Sequence, residues 1–381
     1  MKHSTDRILT THVGSLPRPQ NVVDMLFAQD ADTLTDQAAF DAVMAQAVDA
    51  VIGEQIAAGI DIVSDGEMSK ISYATYIRHR LSGFEPGEVP RAVPADLDAF
   101  PEYRDRLAAR GGTPKYLRPV CTGPITVKNT VPLDTDLAHL TAAVAAHGPT
   151  DAFMSAASPG VIGVFQPNRY YPSRSAYLYA LADAMQQEYE AIHAAGFVVQ
   201  VDCPDLAMGR HIQFRDESTA HFLTFAAEQV EVLNHALRTI PADALRMHLC
   251  WGNYEGPHTF DIELREIFAV VMAAKPQAIL FEASNPRHAH EWTVWEDAAV
   301  PDDKILVPGV IDSVTNFVEH PALVAERIGR FAAIVGRERV MAGTDCGFGT
   351  FAGFGAIHPT IAYAKFASLA QGAALASARL W

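Results

Sequence analysis

Two residues that bind soft metals lie two positions apart in the second half of the chain, His248 and Cys250. They belong to the apolar run 245–250, which predicts a buried strand, and Gly252 predicts a turn directly after it. Because alternate residues of a strand point to one face, the imidazole and the thiol should point together at the end of the strand. Both are ligands that Zn²⁺ prefers. Taken alone, the pair is more typical of a core histidine beside a small buried cysteine, so a metal site needs ligands from other strands.

Two further candidate ligands follow other apolar runs. Glu282 closes the run 278–281, and Cys346 follows the run 340–343. Each has a simpler interpretation, a solvated strand end for Glu282 and a small buried side chain for Cys346. If all four residues face one point, they form a sensible Zn²⁺ set, with Asp345 available to orient a ligand. A zinc ion with two thiolate ligands suits the deprotonation of a substrate thiol better than the production of hydroxide.

The elements that must position these residues alternate between strand and helix patterns. This alternation predicts an α/β fold with a parallel sheet, and eight repeats favour a (β/α)8 TIM barrel over a doubly wound sheet. A Gly-x-Gly-x-x-Gly turn after the first strand is missing, which weakens the alternative. An additional short strand is predicted at residues 8–13, and helices at 36–58, 176–194, 217–237, 262–273 and 321–334, while two apolar-rich segments close the chain over residues 361–380. The eight predicted strands are residues 60–64, 117–122, 161–165, 197–201, 245–250, 278–281, 305–308 and 340–343.

Composition narrows the class of protein. With 381 residues, the sequence predicts a single barrel domain over residues 1–381, with an insertion or lid around residues 83–115, a stretch rich in proline, glycine and charge. The net charge of −16 and the lack of a basic cluster disfavour nucleic-acid binding. Four scattered cysteines argue against a disulfide scaffold, and no run resembles a signal peptide or a membrane span, so a cytoplasmic protein is expected.

Several motifs, in order along nearly the whole chain, resemble the catalytic barrel of cobalamin-independent methionine synthase. These motifs are residues 10–18, 65–67, 122–126, 200–204 and 345–347. The resemblance implies Zn²⁺ as cofactor, held by His248, Cys250, Glu282 and Cys346, and a homocysteine-like thiol as substrate. It further implies that Ser15 contacts the substrate carboxylate, while Glu67 and Asp202 hold the ammonium group. This last role is consistent with the energetics of burial, because two buried carboxylates cost considerable free energy unless a cation pairs with them.

The chain departs from the family at one position. The family carries a histidine after the seventh strand, in an Asp-x-His-Ser motif that is thought to help protonate the leaving group, and Val314 stands there instead. His320, His12 and Tyr73 are candidates to replace it, and Asp345 is a further candidate catalytic residue. The departure leaves the methyl donor open among a folate, a corrinoid and a small methylated compound.

Three functions therefore remain in competition. The first is zinc-dependent methyl transfer to a homocysteine-like thiol. The second is thiol addition to an epoxide, as in the related single-barrel epoxyalkane:coenzyme M transferase. The third is a metal-free barrel, decarboxylase-like or non-catalytic. The partners expected are a small thiol and an alkyl or methyl donor, not nucleic acid or a membrane, and an oligomer is left open. A sulfonate-bearing thiol would need a cationic residue, for which the candidates are Arg18, Lys70, Arg78, Arg169 and Arg287.

Overall fold

The computed structural model describes residues 1–87, 93–109 and 119–381. Its strands are β1 (Ile62–Ser64), β2 (Phe84–Pro86), β3 (Pro119–Cys121), β4 (Asp151–Ala157), β5 (Val198–Asp202), β6 (Leu245–Leu249), β7 (Ala278–Phe281), β8 (Ile305–Ile311) and β9 (Gly343–Thr344). Over these described ranges, the largest sheet has seven strands in the order β1-β4-β5-β6-β7-β8-β9, and each neighbouring pair is parallel. The strands follow one another in the sheet in chain order, as in a βαβ series.

The segment 8–13 closes the sheet into a barrel. The amide of Thr11 donates to the carbonyl of Ala342 at 2.9 Å, and the amide of Ala342 donates to Leu9 at 2.9 Å. On the other side, the amide of Ile62 in β1 donates to the carbonyl of Thr10 at 3.0 Å. This short extended segment therefore occupies the eighth strand position of the barrel, between β9 and β1, which confirms the predicted (β/α)8 barrel.

The helices form the outer layer, and five of them match the predicted helical segments to within two residues at each end. Ser158, Ser173 and Ser218 begin three of them, because each hydroxyl accepts a hydrogen bond from an amide three residues later. The α-helices are α1 (Gln20–Asp30), α2 (Gln37–Ala57), α3 (Ala95–Ala99), α4 (Pro101–Ala109), α5 (Val131–His147), α6 (Pro159–Phe165), α7 (Arg174–Ala194), α8 (Gly209–Ile212), α9 (Thr219–Ala236), α10 (Leu264–Met272), α11 (Trp292–Asp297), α12 (Pro321–Val335) and α13 (Pro359–Leu380). Short 3₁₀ turns cover Thr75–His79, Pro204–Leu206, Ala242–Ala244 and Arg337–Arg339.

Two predicted strands are wrong as barrel strands. Residues 161–165 lie in the helix α6, and the strand of that repeat, β4, comes just before it. The reason is local: Ser158 caps the helix and Pro159 occupies its first turn, whereas a short apolar run alone cannot distinguish strand from buried helix. Of residues 117–122, Pro119–Cys121 do form a strand, but it pairs antiparallel with β2 outside the barrel, and residues 117 and 118 lie outside the described ranges.

The described part of the predicted insertion packs against the loop that follows β6. The carboxylate of Asp96 in α3 accepts hydrogen bonds from the Tyr254 hydroxyl at 2.5 Å and the His258 amide at 2.8 Å. Tyr103 in α4 donates its hydroxyl hydrogen bond to the carbonyl of Glu255. Residues 88–92 and 110–118 of this segment lie outside the described ranges. Helices α3 and α4 thus cover the carboxyl-terminal side of the barrel.

Within the described ranges, no helix combines the length and the apolar composition needed to cross a lipid bilayer.

Candidate metal centre and adjoining cavity

His248, Cys250 and Cys346 converge at the carboxyl ends of β6 and β9. One ligand atom from each lies within 4.8 Å of the others, and all three side chains are buried. The two sulfur atoms are 3.1 Å apart, and Cys346 Sγ is 3.5 Å from His248 Nε2. Both cysteines are free thiols. The strand period that predicted a shared face for His248 and Cys250 therefore brings them to one point, and β9 supplies the third residue.

Glu282 lies beside this cluster, at the end of β7. Its Oε1 atom is 3.8 Å from Cys346 Sγ and accepts a hydrogen bond from the amide of Trp251 at 2.8 Å. Its Oε2 atom accepts one from Asn285 Nδ2 at 2.7 Å. The three-residue cluster does not include Glu282, but its carboxylate is held at the edge of that cluster by two donors.

Asp345 joins the ends of β9 and β7. Its Oδ1 accepts hydrogen bonds from the amides of Ala283 and Ser284 at 2.8 and 2.9 Å. Its Oδ2 accepts one from the amide of Asn285 at 2.8 Å. These bonds fix the turn that follows Glu282 against the residue that precedes Cys346, so Asp345 ties two candidate ligands to each other.

The donor set fits a soft divalent ion. Burial, followed by the nearby charge of Arg246, lowers the pKa of His248 to about 3, so its imidazole is neutral, as a metal ligand must be. Burial, and then the neighbouring Cys250, raises the pKa of the Cys346 thiol well above its ordinary value. Two buried sulfurs this close cannot both carry negative charge unless a cation lies between them. Two thiolates, one imidazole and an adjacent carboxylate are a zinc-type set.

A cavity of about 400 Å³ opens directly above the cluster. Its lining combines His248, Cys250 and Cys346 with polar residues from other strand ends and with a large apolar, aromatic surface. The cavity therefore lies where barrel enzymes carry their chemistry. Its other polar lining residues include Ser15, Glu67, Asp202, Asn253 and Ser313, and its apolar ones include Tyr73, Phe165, Met208, Phe348, Phe351 and Phe354.

Glu67 and Asp202 place two buried carboxylates in the cavity wall. Glu67 is 2% exposed, and its buried Oε2 atom has no hydrogen-bond partner within the described ranges. Burial raises the pKa of Glu67 and, together with the charge of Glu67, raises the pKa of Asp202 well above its ordinary value. Such a pair is strained when both groups are ionised, and a bound cation would relieve it. Ser15, 4% exposed, lines the same cavity.

Asp202 is oriented by a polar network inside the barrel. Gln200 Nε2 donates to Asp202 Oδ1 at 2.9 Å, and Arg246 Nε donates to Gln200 Oε1 at 2.7 Å. The arginine thereby determines which end of the Gln200 amide faces the carboxylate. The Arg246 guanidinium carbon also lies 3.6 Å from the centroid of the Phe153 ring. In the register of the sheet, Asp202 is the direct neighbour of His248.

The candidate histidines for proton transfer lie away from the cavity. His12 is buried in the barrel wall, where its Nε2 atom is 2.7 Å from Gln55 Oε1 and its Nδ1 accepts the amide of Gly14 at 3.2 Å. Burial lowers the pKa of His12 to about 3. His320 is exposed and caps α12, with Nδ1 accepting the amide of Ala322 at 3.1 Å. Tyr73 does line the cavity. Val314 is half-buried, and it directly follows Ser313, which also lines the cavity.

The cationic candidates are also elsewhere. Arg18 donates to the carbonyls of Glu67 and Gly349, and Lys70 donates to the carbonyl of Ser155. Arg78 pairs with Asp30 at 3.2 Å, and Arg169 and Arg287 are exposed. Among the described lining residues of the cavity, lysine and arginine are both absent.

Sequence reasoning missed the aromatic wall and a bridging amide. Asn253 Nδ2 donates to the carbonyl of Gly347 at 2.8 Å, and its Oδ1 accepts the hydroxyl of Ser313 at 3.0 Å, so it joins the loops after three strands. The position of Asn253 directly after the stretch His248–Gly252 was the sequence signal that could have indicated its role. The aromatic residues carried no such signal, because their spacing along the chain is irregular.

Comparisons with known proteins identify the family and agree with this fold. Residues 116–359 match the family model described as the catalytic domain of cobalamin-independent synthase. A methionine synthase of Saccharolobus solfataricus is 25% identical over 371 residues, covering 95% of this chain and 93% of that relative. A methionine synthase of Sulfurisphaera tokodaii is 22% identical over 342 residues, covering 89% and 85% respectively.

A solved structure shares the fold over nearly the full length of both chains. It is a B12-independent methionine synthase from Shewanella sp. W3-18-1 in complex with selenomethionine, with a TM-score of 0.74, 18% identity and coverage of 98% of this chain and 99% of that one. At this identity the structural likeness shows the fold alone. The family model, however, spans well over half of the sequence and confirms the resemblance inferred from the motifs. The chain belongs to the family of the cobalamin-independent synthase catalytic domain.

Proposed function

We propose that this protein is a zinc-dependent methyltransferase that transfers a methyl group to the sulfur of homocysteine. The observation that carries the proposal is that a cluster of metal-type ligands and a pair of buried carboxylates line the same cavity. His248, Cys250 and Cys346 converge at its base, and the buried carboxylates of Glu67 and Asp202 lie in its wall. A thiol that also bears an ammonium group is complementary to both. The methionine synthases to which the chain is similar in sequence support the same substrate class.

His248, Cys250, Glu282 and Cys346 would hold the zinc ion. Bound there, zinc would supply a soft Lewis acid that lowers the pKa of a coordinated thiol far below its ordinary value of ~8.5. The chain itself positions the rest of the substrate. Glu67 and Asp202 would hold its ammonium group, and Ser15 would donate to its carboxylate. We assign Asp345 a positioning role, because both of its oxygens are already engaged by backbone amides.

We further propose that residues 1–381 form one domain in which α3 and α4 act as a lid. Pro94 and Leu107 of this segment line the cavity, and Asp96 fastens it to the loop after β6. Covering the cavity with apolar side chains excludes water from the reacting sulfur. The same loop begins directly after His248 and Cys250, so the lid is anchored close to the metal ligands.

Zinc-edge X-ray absorption tests the proposal directly. Spectra of the zinc-loaded protein with homocysteine should show one additional sulfur ligand relative to the protein without it. A parallel sample with coenzyme M tests the alternative function, thiol addition to an epoxide. The described lining residues include no lysine or arginine that could pair with the sulfonate of coenzyme M, so no new sulfur ligand is expected there. A new sulfur ligand with coenzyme M but not with homocysteine would overturn the proposal.

The amine-binding carboxylates need their own control. Glu67→Gln should weaken homocysteine binding by about tenfold or more, because a charge-assisted hydrogen bond is lost in a buried site. The same variant should bind 4-mercaptobutanoate, which has no amine, as well as the unmodified protein does. Equal losses for both thiols would mean that Glu67 does not recognise the ammonium group.

A further inference from the structure

The cavity has an aromatic wall away from the proposed amino-acid site. Tyr73, Phe165 and Phe351 all line it, and they come from the segments after β1, β4 and β9. The ring centroid of Tyr73 is 5.6 Å from that of Phe165 and 5.8 Å from that of Phe351, and the other two centroids are 6.5 Å apart. A group resting on this corner can lie within ~6 Å of all three rings, which is the range of cation–π attraction. Phe348 and Phe354 extend the same surface.

The carboxylates that line the cavity are matched by no lysine or arginine in the described part of its lining. The acidic lining residues are Glu67, Asp202 and Glu255. Glu67 and Asp202 are the proposed partners of the homocysteine ammonium group. Glu255 is exposed at the mouth and remains to attract a second cation. The described lining therefore attracts a positively charged donor.

The missing imidazole points to the same kind of donor. Val314 stands where the family has its histidine, His320 is exposed as a helix cap, and His12 is enclosed in the barrel wall. A donor whose leaving group needs protonation would require such an acid, and of the three candidates only the weakly acidic hydroxyl of Tyr73 lines the cavity. A methyl sulfonium requires no acid, because it leaves as a neutral thioether.

We propose that the methyl donor is a small sulfonium compound bound against Tyr73, Phe165 and Phe351. The inference rests on the proposed function, since it names the second substrate of the same site. The homocysteine thiolate sulfur forms a bond to the methyl carbon, and the bond from that carbon to the sulfonium sulfur breaks. The electron pair of the broken bond stays on the departing thioether. The negative charge of the thiolate and the positive charge of the sulfonium cancel, and the proton first lost by the thiol ends in the buffer.

A matched pair of probes measures the preference for charge. (2-Hydroxyethyl)dimethylsulfonium and 3-methylbutan-1-ol have the same shape and differ in carrying a positive sulfur or a neutral carbon. In calorimetric titrations of the zinc-loaded protein with homocysteine present, the sulfonium should bind about tenfold more tightly. On incubation, methionine and 2-(methylthio)ethanol should then accumulate in equal amounts.

Variants separate the aromatic wall from general packing. Phe165→Leu and Phe351→Leu keep an apolar side chain but remove the π face, so each should weaken sulfonium binding several-fold and leave the alcohol unchanged. Phe317→Leu, at a position 81% exposed and outside the cavity lining, is the matched control and should change neither affinity.

The outcomes distinguish the donor from the function. If homocysteine binds to the metal centre but the sulfonium shows no advantage over the alcohol, or yields no methionine, the donor assignment is overturned and the methyltransferase proposal stands. If homocysteine itself adds no sulfur ligand, the proposed function fails first. If both leucine variants bind the sulfonium as the unmodified protein does, the aromatic wall is not its site.

Discussion

The guanidinium of Arg18 holds the backbone carbonyl of Glu67, with Nε at 3.0 Å and Nη2 at 2.8 Å. Glu67 has a φ of 57°, in the left-handed region that non-glycine residues rarely adopt. Asp65 Oδ1 accepts the Glu67 amide at 3.0 Å, so both backbone groups of the strained residue are fixed. Strain of this kind persists only where the surroundings enforce it, and here it aims a carboxylate into the cavity. Arg18 is therefore a support for the proposed ammonium site.

Shortening this support should weaken homocysteine binding. In Arg18→Lys, one ammonium group cannot reproduce the paired contacts of the guanidinium, so the KM for homocysteine should rise about tenfold with a smaller change in kcat. Steady-state kinetics measure the two constants. Arg7→Lys, which alters a surface pair with Asp61, is the matched control and should leave both unchanged. An unaltered KM in Arg18→Lys would show that the Glu67 backbone holds its conformation unaided.

Removing one sulfur should empty the metal centre. Purified protein should contain about one zinc ion per chain, and Cys346→Ser should lose most of it. Turnover should fall by more than the ~10–100-fold that loss of a supporting residue costs. Elemental analysis and circular dichroism separate metal loss from unfolding. Cys203→Ala, at a buried cysteine outside the cluster, should retain its zinc. Full zinc content in Cys346→Ser would exclude Cys346 as a ligand.

A side chain at Gly347 should disturb the substrate site. A Cβ atom there would lie 2.0 Å from Ser15 Oγ, so Gly347→Ala must displace the serine. Homocysteine affinity should fall several-fold, as measured by calorimetry, because Ser15 is the proposed donor to the carboxylate. Gly329→Ala offers a control in helix α12, where no described side chain lies within 4 Å of the added atom. Its stability should be unchanged or higher by about 0.5–1 kcal/mol.

The anchor of the lid should weaken in alkali. Although burial opposes the charge, the hydrogen bond to Asp261 raises the pKa of His258 to about 8. A raised histidine pKa adds stability that is complete below its ordinary pKa of 6.5 and is lost as pH rises through 8. Tyr254 and Asp96 face the same loop, and His288 shares Asp261.

His258→Asn should remove this pH dependence. Asparagine tolerates the positive φ of 53° at this position and does not titrate. Between pH 6 and 9, the unfolding free energy of the unmodified protein should fall by about 2 kcal/mol more than that of the variant, as measured by urea unfolding. His290→Asn, on the surface, is the control and should follow the unmodified protein. Parallel pH profiles for all three proteins would contradict the assignment.

Sequence alone predicted the type of fold, the three metal-type ligands at the base of the cavity and the two buried carboxylates in its wall. The alternation of apolar runs and helical periods determined the barrel, since burial on one face imposes those periods locally. The spacing of His248 and Cys250 determined that both side chains leave the strand on one side. The motifs around Glu67 and Asp202 pointed to the family, which the family model confirms.

Only the tertiary structure decided which segments closed the barrel and which groups met. The segment 8–13 occupies a strand position of the barrel, and residues 161–165 form part of a helix. Strand pairing and helix capping depend on partner residues that the hydrophobic periodicity of a segment does not reveal. His12 and His320 were plausible acids by type, yet long-range packing placed one in the wall and the other on the surface. Tyr73, Phe165 and Phe351 are far apart in sequence, and a shared cavity wall exists only once three loops are brought to one end of the barrel.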